Sequence, residues 1–297
     1  MMVTYISTKV KDEQMISIGL TGWGDHQTLY PEGTNPGKKL EVYSSHFPVV
    51  EIDSSFYAIP PERNIRKWIE ETPSRFQFVV KAYQGMTGHQ RGEIPYDSVS
   101  DMFEAFLTAM GPMVEHDKLA AVLFQFPPWF HCTKEHVQYL RFVKQRMQNL
   151  PLALEFRHQS WFRGNMRGKT LAFMKEEEWI HSVCDEPQVG EGSIPTVLEA
   201  THPALTIVRF HGRNVHGWVN RGQPNWREVR YLYRYNQAEL QEWQGYIETL
   251  AQESKQVIAL FNNNSGGDAA DNAKQLQQML GIEYTGLSPR QLDLFDL

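Results

Sequence analysis

Short runs of apolar and β-branched residues recur along the chain, and longer stretches with apolar positions about every 3.6 residues lie between them. The runs predict strands at Ile16–Thr21, Val49–Asp53, Gln77–Lys81, Ala120–Gln125, Leu152–Phe156, Trp179–Cys184, Leu205–Phe210 and Val257–Phe261. Between them, Phe103, Phe106, Leu107 and Met110 form one helical stripe. Leu240, Trp243, Ile247 and Leu250 form a second, and Ala269, Ala273, Leu276 and Leu280 a third. Asn236 followed by Glu239 has the spacing of a capping box at the start of the seventh helix.

Strands that alternate with helices pair in parallel through right-handed crossovers, and eight such units close into a (β/α)8 barrel of the TIM type. The competing arrangement is an open doubly wound sheet, but no GxGxxG follows the first strand. The sixth unit is the weakest, because Gln188–Thr201 is rich in Gly and Pro and reads as loop. One barrel domain is expected over residues 1–281. After Gly281 the pattern ends, and residues 282–297 read as a C-terminal tail running over the surface.

Composition narrows the class. The 297 residues are 41% hydrophobic and 22% charged, ordinary for a globular chain with a large core. The net charge of −6 means that nucleic-acid binding would need a local basic patch. Cys132 and Cys184 are far apart and form no CxxC pair, which suggests a reducing compartment. The first fifteen residues lack the apolar run of a signal peptide, and no stretch is long enough for a membrane span, so the expected location is cytoplasmic.

Functional groups of such a barrel gather where its strands end. Glu51 and Asp53 end the second strand, with Tyr57 beyond; Lys81 ends the third, with His89 in the loop after it; Gln125 ends the fourth. Glu155 and Arg157 share a face on the fifth, followed by His158. Asp185 closes the sixth. Arg209, His211 and Arg213 share a face on the seventh, followed by Asn214, and Asn262 and Asn263 follow the eighth. Each has a structural reading: Glu155 with Arg157 as an ion pair, Lys81 as the counter-charge of Glu51 or Asp53, His211 as a hydrogen-bonded core residue. The concentration is what points to a ligand site, since burying so many charges costs several kcal/mol each unless they are paired or used.

Glu51, Asp53, Glu155 and Asp185, with His211 as proton shuttle, suit acid–base catalysis. Lys81, Arg157, Arg209 and Arg213 suit an anionic substrate, a phosphate ester or nucleotide, with Trp23, Tyr57, His89, Gln125, His158, Asn214, Asn262 and Asn263 as further substrate contacts. Glu155, Asp185 and His211 could converge on a divalent metal. The interleaved arginines and the absence of HxH and HExxH weigh against this, so no metal ligand and no cofactor is assigned.

The segments IGLTGWGD (18–25), VEIDSSFY (50–57), FQFVVKA with MTGH (76–89), LFQFPPWF (123–130), LEFRHQSW (154–161), VRFHGRN (208–214) and FNNNSGGDAADNA (261–273) resemble, in order, those of the YecE-like family, domain of unknown function 72. The resemblance implies a TIM-type barrel and no assigned reaction. The family tends to carry Asn-Asn-His after the eighth strand. Here Asn264 stands in place of that His, so no role for it carries over.

Gln291, Leu292, Leu294 and Phe295 belong to the sequence QLDLF, which looks like the pentapeptide that binds the bacterial sliding clamp. Leu292, Leu294 and Phe295 would fill an apolar groove while Gln291 bonds at its edge. The same residues could instead fold back onto the barrel. The favoured expectation is an enzyme for a phosphate-bearing or nucleic-acid substrate, recruited to the clamp. The alternatives are a sugar or sugar-phosphate isomerase or hydrolase with a structural tail, and a non-catalytic binding protein.

Overall fold

The computed structural model describes residues 15–147, 150–219 and 226–290. Eight parallel strands close into one barrel in chain order: β1 (Met15–Thr21), β2 (Val49–Ile52), β3 (Gln77–Lys81), β4 (Leu119–Gln125), β5 (Leu152–Glu155), β6 (Ile180–Asp185), β7 (Leu205–Phe210) and β8 (Gln256–Phe261). Among the described residues the α-helices are α1 (Lys39–Tyr43), α2 (Glu62–Glu70), α3 (Val99–Glu115), α4 (Lys134–Arg146), α5 (Met166–Glu176), α6 (Val215–Val219), α7 (Trp226–Arg230), α8 (Gln237–Glu253) and α9 (Ala269–Met279). Between β6 and β7 there is only a short 3-10 turn at Gly190–Gly192, in line with the Gly- and Pro-rich composition there. The capping box at Asn236 and Glu239 is formed, each side chain bonding the other's backbone N–H. No helix among the described residues is long and apolar enough to cross a membrane.

These strands read as nearly continuous apolar runs because both of their faces are covered. One core lies between barrel and helices, and a second, containing Val49, Val79, Leu123, Ala153, Ile207 and Leu260, fills the barrel interior. Below that apolar plug, at the strands' N-terminal ends, Gln256 donates to Gln77 (2.7 Å) and Ser17 (3.2 Å). Above it stand buried charges. The barrel axis therefore runs from neutral polar groups through an apolar layer to an ionic one, and only the last has chemistry to offer.

Two tyrosines complete the wall between β1 and β2, whose pairing begins only at Gly19 and Val49. The hydroxyl of Tyr43 accepts from the N–H of Leu20 and donates to the Val49 carbonyl, both at 2.8 Å. The hydroxyl of Tyr284 accepts from the N–H of Ile18 at 2.7 Å. Gly19 has to be glycine here, since a Cβ would lie 2.1 Å from the Val49 carbonyl oxygen. The segment after Gly281, read from the sequence as a surface tail, thus returns to the barrel over residues 282–290. The backbone of Ser288 bonds Ser44 at 3.1 Å, and Arg290 bonds Ser45 at 3.2 Å.

At the opposite end from the charges, Lys118 buries its ammonium against the last turn of α2. Its Nζ donates to the carbonyls of Ile69 (3.1 Å), Thr72 (2.9 Å) and Pro73 (2.7 Å) and to Thr72 Oγ1 (2.7 Å). A cation there satisfies carbonyls that the helix leaves open and opposes its dipole. Lys118→Met should therefore lower unfolding stability by about 2–3 kcal/mol, read from urea midpoints. A change below 0.5 kcal/mol would show that water replaces the ammonium without cost.

Candidate functional site

The charged layer is built from inward-facing residues near the ends of β2, β5, β6 and β7. Arg209 on β7 is 1% exposed and is the hub. Its Nε and Nη2 hold the two oxygens of Glu51 at 2.9 and 2.7 Å, and its Nη1 holds Glu155 Oε2 at 2.7 Å and reaches Gln125 Oε1 at 3.3 Å. Arg157 bridges Glu155 Oε1 (3.0 Å) and Glu186 Oε2 (3.1 Å). Ser182 donates to Glu155 Oε2 at 3.1 Å, and the Ile194 N–H donates to Glu186 Oε1 at 2.7 Å.

Burial pushes the Glu155 carboxyl up, but Arg209, His211 and Arg157 outweigh it and hold it well below the usual carboxylate range. Burial opposes the Arg209 charge too, and Glu155 with Glu51 more than restores it. His211 goes the other way: burial first, then the Arg157 guanidinium, push it down to about 3, so its ring is neutral. Its Nδ1 faces the Asn262 amide nitrogen at 3.0 Å and must accept there. The proton then sits on Nε2, which lies 3.5 Å from Glu155 Oε1. That tautomer turns the Nε2 proton toward Glu155 inside the sealed floor, where the ring, 1% exposed, is not placed for the proton shuttling expected from the sequence.

Three buried carboxylates (Glu51, Glu155, Glu186) thus share two buried guanidiniums (Arg157, Arg209), with the Arg230 charge also acting on Glu186, while burial pushes the Glu51 and Glu186 carboxyls up from their ordinary value. Of the arginines expected to hold an anionic substrate, Arg209 is engaged by carboxylates through Nε, Nη1 and Nη2, and Arg157 through Nη1. Solvent access returns one layer up. Lys81 Nζ pairs with Asp53 at 3.1 Å, with side chains 13% and 40% exposed. Burial favours the neutral acid of Asp53, but the Lys81 charge prevails and keeps its carboxyl below the ordinary value. Lys81 also lies 4.6 Å above the Phe56 ring. His89, pushed down to about 4 by burial and then by Lys81, packs edge-on between Phe56 and Trp129. Tyr57 and Trp129 present exposed rings at the rim.

Other expected site residues stand elsewhere. Asp185 faces outward, away from the mouth, where it accepts from Tyr235 (2.6 Å) and from Arg213 Nε (3.0 Å to each oxygen); Arg213 also holds Glu242 at 2.9 Å. These two tie the barrel wall to α8, and their assignment as catalytic and anion-holding groups is corrected. Asn214 staples the carbonyls of Val229 and Leu232, and Asn263 bonds the Tyr233 carbonyl and Asn272. Trp23 packs edge-on against Trp68 of α2, and His158 stacks on His131 at 3.9 Å. Gln291, Leu292, Leu294 and Phe295 lie outside the described residues.

Sequence reading missed Glu186, Ser182 and Cys184. Their common parity along β6 was the available signal: 182, 184 and 186 face inward together, so 185 must face out. The oxygen, sulfur and nitrogen of Glu155, Cys184 and His211 lie within 4.8 Å of one another, a trio that replaces the expected Glu155, Asp185 and His211 set. Both oxygens of Glu155 are already bonded to arginine, and a cation beside two guanidiniums would be repelled, so the donors fit a metal poorly.

A family model described as "Protein of unknown function DUF72" matches residues 17–293. The UPF0759 protein YunF of Bacillus subtilis (strain 168) is 64% identical over 282 residues, which cover 95% of this chain and 100% of YunF. The UPF0759 protein YecE of Escherichia coli (strain K12) is 28% identical over 158 residues, 53% of this chain and 54% of YecE. A crystal structure of a DUF72 family protein from Enterococcus faecalis V583 superposes with a TM-score of 0.88 at 40% identity, covering 94% of this chain and 100% of that one. One from Thermotoga maritima MSB8 gives 0.77 at 30% identity, covering 90% and 100%.

Proposed function

The chain belongs to the DUF72 family, and from the geometry of its barrel mouth we propose that it is an enzyme performing acid–base chemistry on a phosphate-bearing, nucleic-acid-related substrate. One observation carries this reading. Within the ionic network Glu51, Glu155, Glu186, Arg157 and Arg209 are sealed, whereas Asp53 and Lys81 keep solvent access side by side. Asp53, held ionised, is the general base. Lys81 is the point charge that meets phosphate, and His211, sealed with its Nε2 toward Glu155, belongs to the floor. Glu51, Glu155, Arg157 and Arg209 form with it the rigid floor that positions Asp53 and Lys81.

The test is turnover of labelled abasic, nicked and single-stranded oligonucleotides by the full chain and by Asp53→Asn. Loss of a base costs about 10²–10⁴-fold in rate, with binding changed only a few-fold. A variant as active as the parent would end the assignment. The same reading includes recruitment by Gln291, Leu292, Leu294 and Phe295 to a bacterial sliding clamp. Micromolar binding to purified clamp, lost in Leu294→Ala/Phe295→Ala, supports it, and no binding by the intact chain removes the clamp from the proposal.

A second reading, a sugar or sugar-phosphate isomerase or hydrolase, is favoured by the engagement of Arg157 and Arg209 with carboxylates, which leaves a mouth suited to neutral hydroxyls. It would be supported by turnover of sugar phosphates with no action on any oligonucleotide. Ligand bound and recovered unchanged in every assay would instead make the barrel a binding protein.

A further inference from the structure

Beside the mouth, between the loops that follow β3 and β4, lies a cavity of about 450 Å³ lined by Met102, Trp129, Phe130, His136 and Tyr139 among others. This is the size of a small-molecule site. No Asp, Glu or Lys lines it. Its inner wall is stacked aromatic: Phe130 lies 4.0 Å from Phe126 on one side and 4.0 Å from His136 on the other. Its polar groups are turned to the protein. Tyr139 donates to the Met86 carbonyl at 2.6 Å, Thr87 bonds His89 at 2.8 Å, and Trp129 Nε1 donates to the Gly88 carbonyl at 3.3 Å. The edge that remains belongs to His136. Its Nδ1 donates to the His131 carbonyl at 2.6 Å, which leaves Nε2 as an acceptor.

We propose that this cavity is a nucleobase subsite, taking an unstacked purine or pyrimidine ring against Trp129, with a base N–H donated to His136. A flat ring with apolar faces and polar edges suits such a slot, and stacking on an exposed indole is the usual way proteins hold an unpaired base. Charge supports the same occupant: the Arg91 guanidinium lies 5.8 Å from the Trp129 ring centre, where the phosphate of a bound nucleotide would find it. Trp129 also joins the cavity to the mouth. Its ring touches His89, His89 touches Phe56, and Phe56 lies beneath Lys81. A strand with one base in the cavity would run along this rim and bring a neighbouring phosphate to Lys81. The inference rests on the reading of the mouth only for that last step.

Gly85, on the cavity's lining, has to be small. A Cβ there would come within 2.7 Å of both Met102 Sδ and the Tyr83 ring, so the loop after β3 packs closely on Met102 of α3.

Calorimetric titration of the full chain with adenosine 5′-monophosphate and with ribose 5-phosphate separates the two sites. The subsite predicts that the nucleotide binds more tightly than the sugar phosphate. Trp129→Ala should weaken nucleotide binding about ten-fold or more and leave ribose 5-phosphate unchanged. Lys81→Met should weaken ribose 5-phosphate and leave the mononucleotide, whose single phosphate lies at Arg91, within about two-fold. Nucleotide binding that is no tighter than ribose 5-phosphate, or that ignores Trp129→Ala, overturns the subsite while leaving the mouth reading intact. Nucleotide binding that depends on Trp129, with ribose 5-phosphate insensitive to Lys81→Met, keeps the subsite and overturns the mouth as the place where phosphate is held. Trp129 is 47% exposed, so its removal is not expected to disturb folding.

Discussion

Arg209→Ala should destabilise the protein by about 3–5 kcal/mol, the cost of leaving buried carboxylates without their partner. Arg209 touches Glu51 twice and Glu155 once, and all three are sealed from water. Truncation would therefore expose two anions to each other within an apolar barrel. The cause is testable apart from the size of the effect. Arg209→Met combined with Glu51→Gln and Glu155→Gln removes the charge on both sides, and such neutralised networks often match or exceed the stability of the ionic original. Urea midpoints for the single and triple variants should show the triple recovering most of the loss. A triple variant as unstable as Arg209→Ala would mean that packing around the guanidinium, not its charge, holds the barrel mouth. Either way, lost binding in Arg209→Ala by itself would say little about substrate contact.

Acidification should cost the fold about 3 kcal/mol between pH 6.5 and pH 4 through His211 alone. Its imidazole is held neutral down to about 3 by burial and by Arg157, whereas in the unfolded chain it takes up a proton near 6.5. Between those values the unfolded state binds more protons, so stability falls as pH falls. Glu155 adds to this lower down: its depressed carboxyl stabilises the fold above the unfolded value and loses that contribution as pH drops through the folded one. Stability measured against pH for the parent and His211→Gln checks the first effect. The variant's curve should be flatter by about 3 kcal/mol over that window, and parallel curves would show that His211 is protonated in the fold.

The barrel was legible because its strands are covered on both faces, which writes them as apolar runs bounded by turns. Gln77–Lys81 and Leu205–Phe210 match residue for residue. The same double burial hid which face of a strand looks inward, since neither face is polar. Glu51, Glu155 and Arg209 were found because a charge inside such a run is conspicuous. Asp185 was misplaced because a carboxylate bonded to Tyr235 behind the wall has the same sequence signature as one in the mouth. Engagement of Arg157 and Arg209 by carboxylates is a three-dimensional fact with no local pattern. The aromatic cavity was equally hidden, since Met102, Trp129 and His136 come from different loops and helices, and each reads alone as ordinary packing.

The tyrosine wedge between β1 and β2 has a consequence for how the chain is made. Tyr284 completes hydrogen bonding of Ile18 across 266 residues of sequence, and β1 pairs along its length with β8. At bacterial or eukaryotic synthesis speeds of about 5–20 residues per second, the first strand would wait roughly 13–53 s for its last partner. Until then β1 has an open edge and an unfilled backbone donor at Ile18, features that invite pairing with a wrong strand. The barrel is therefore expected to close late, once β8 and Tyr284 have been made, with β2 to β7 assembled beforehand and β1 the last to settle.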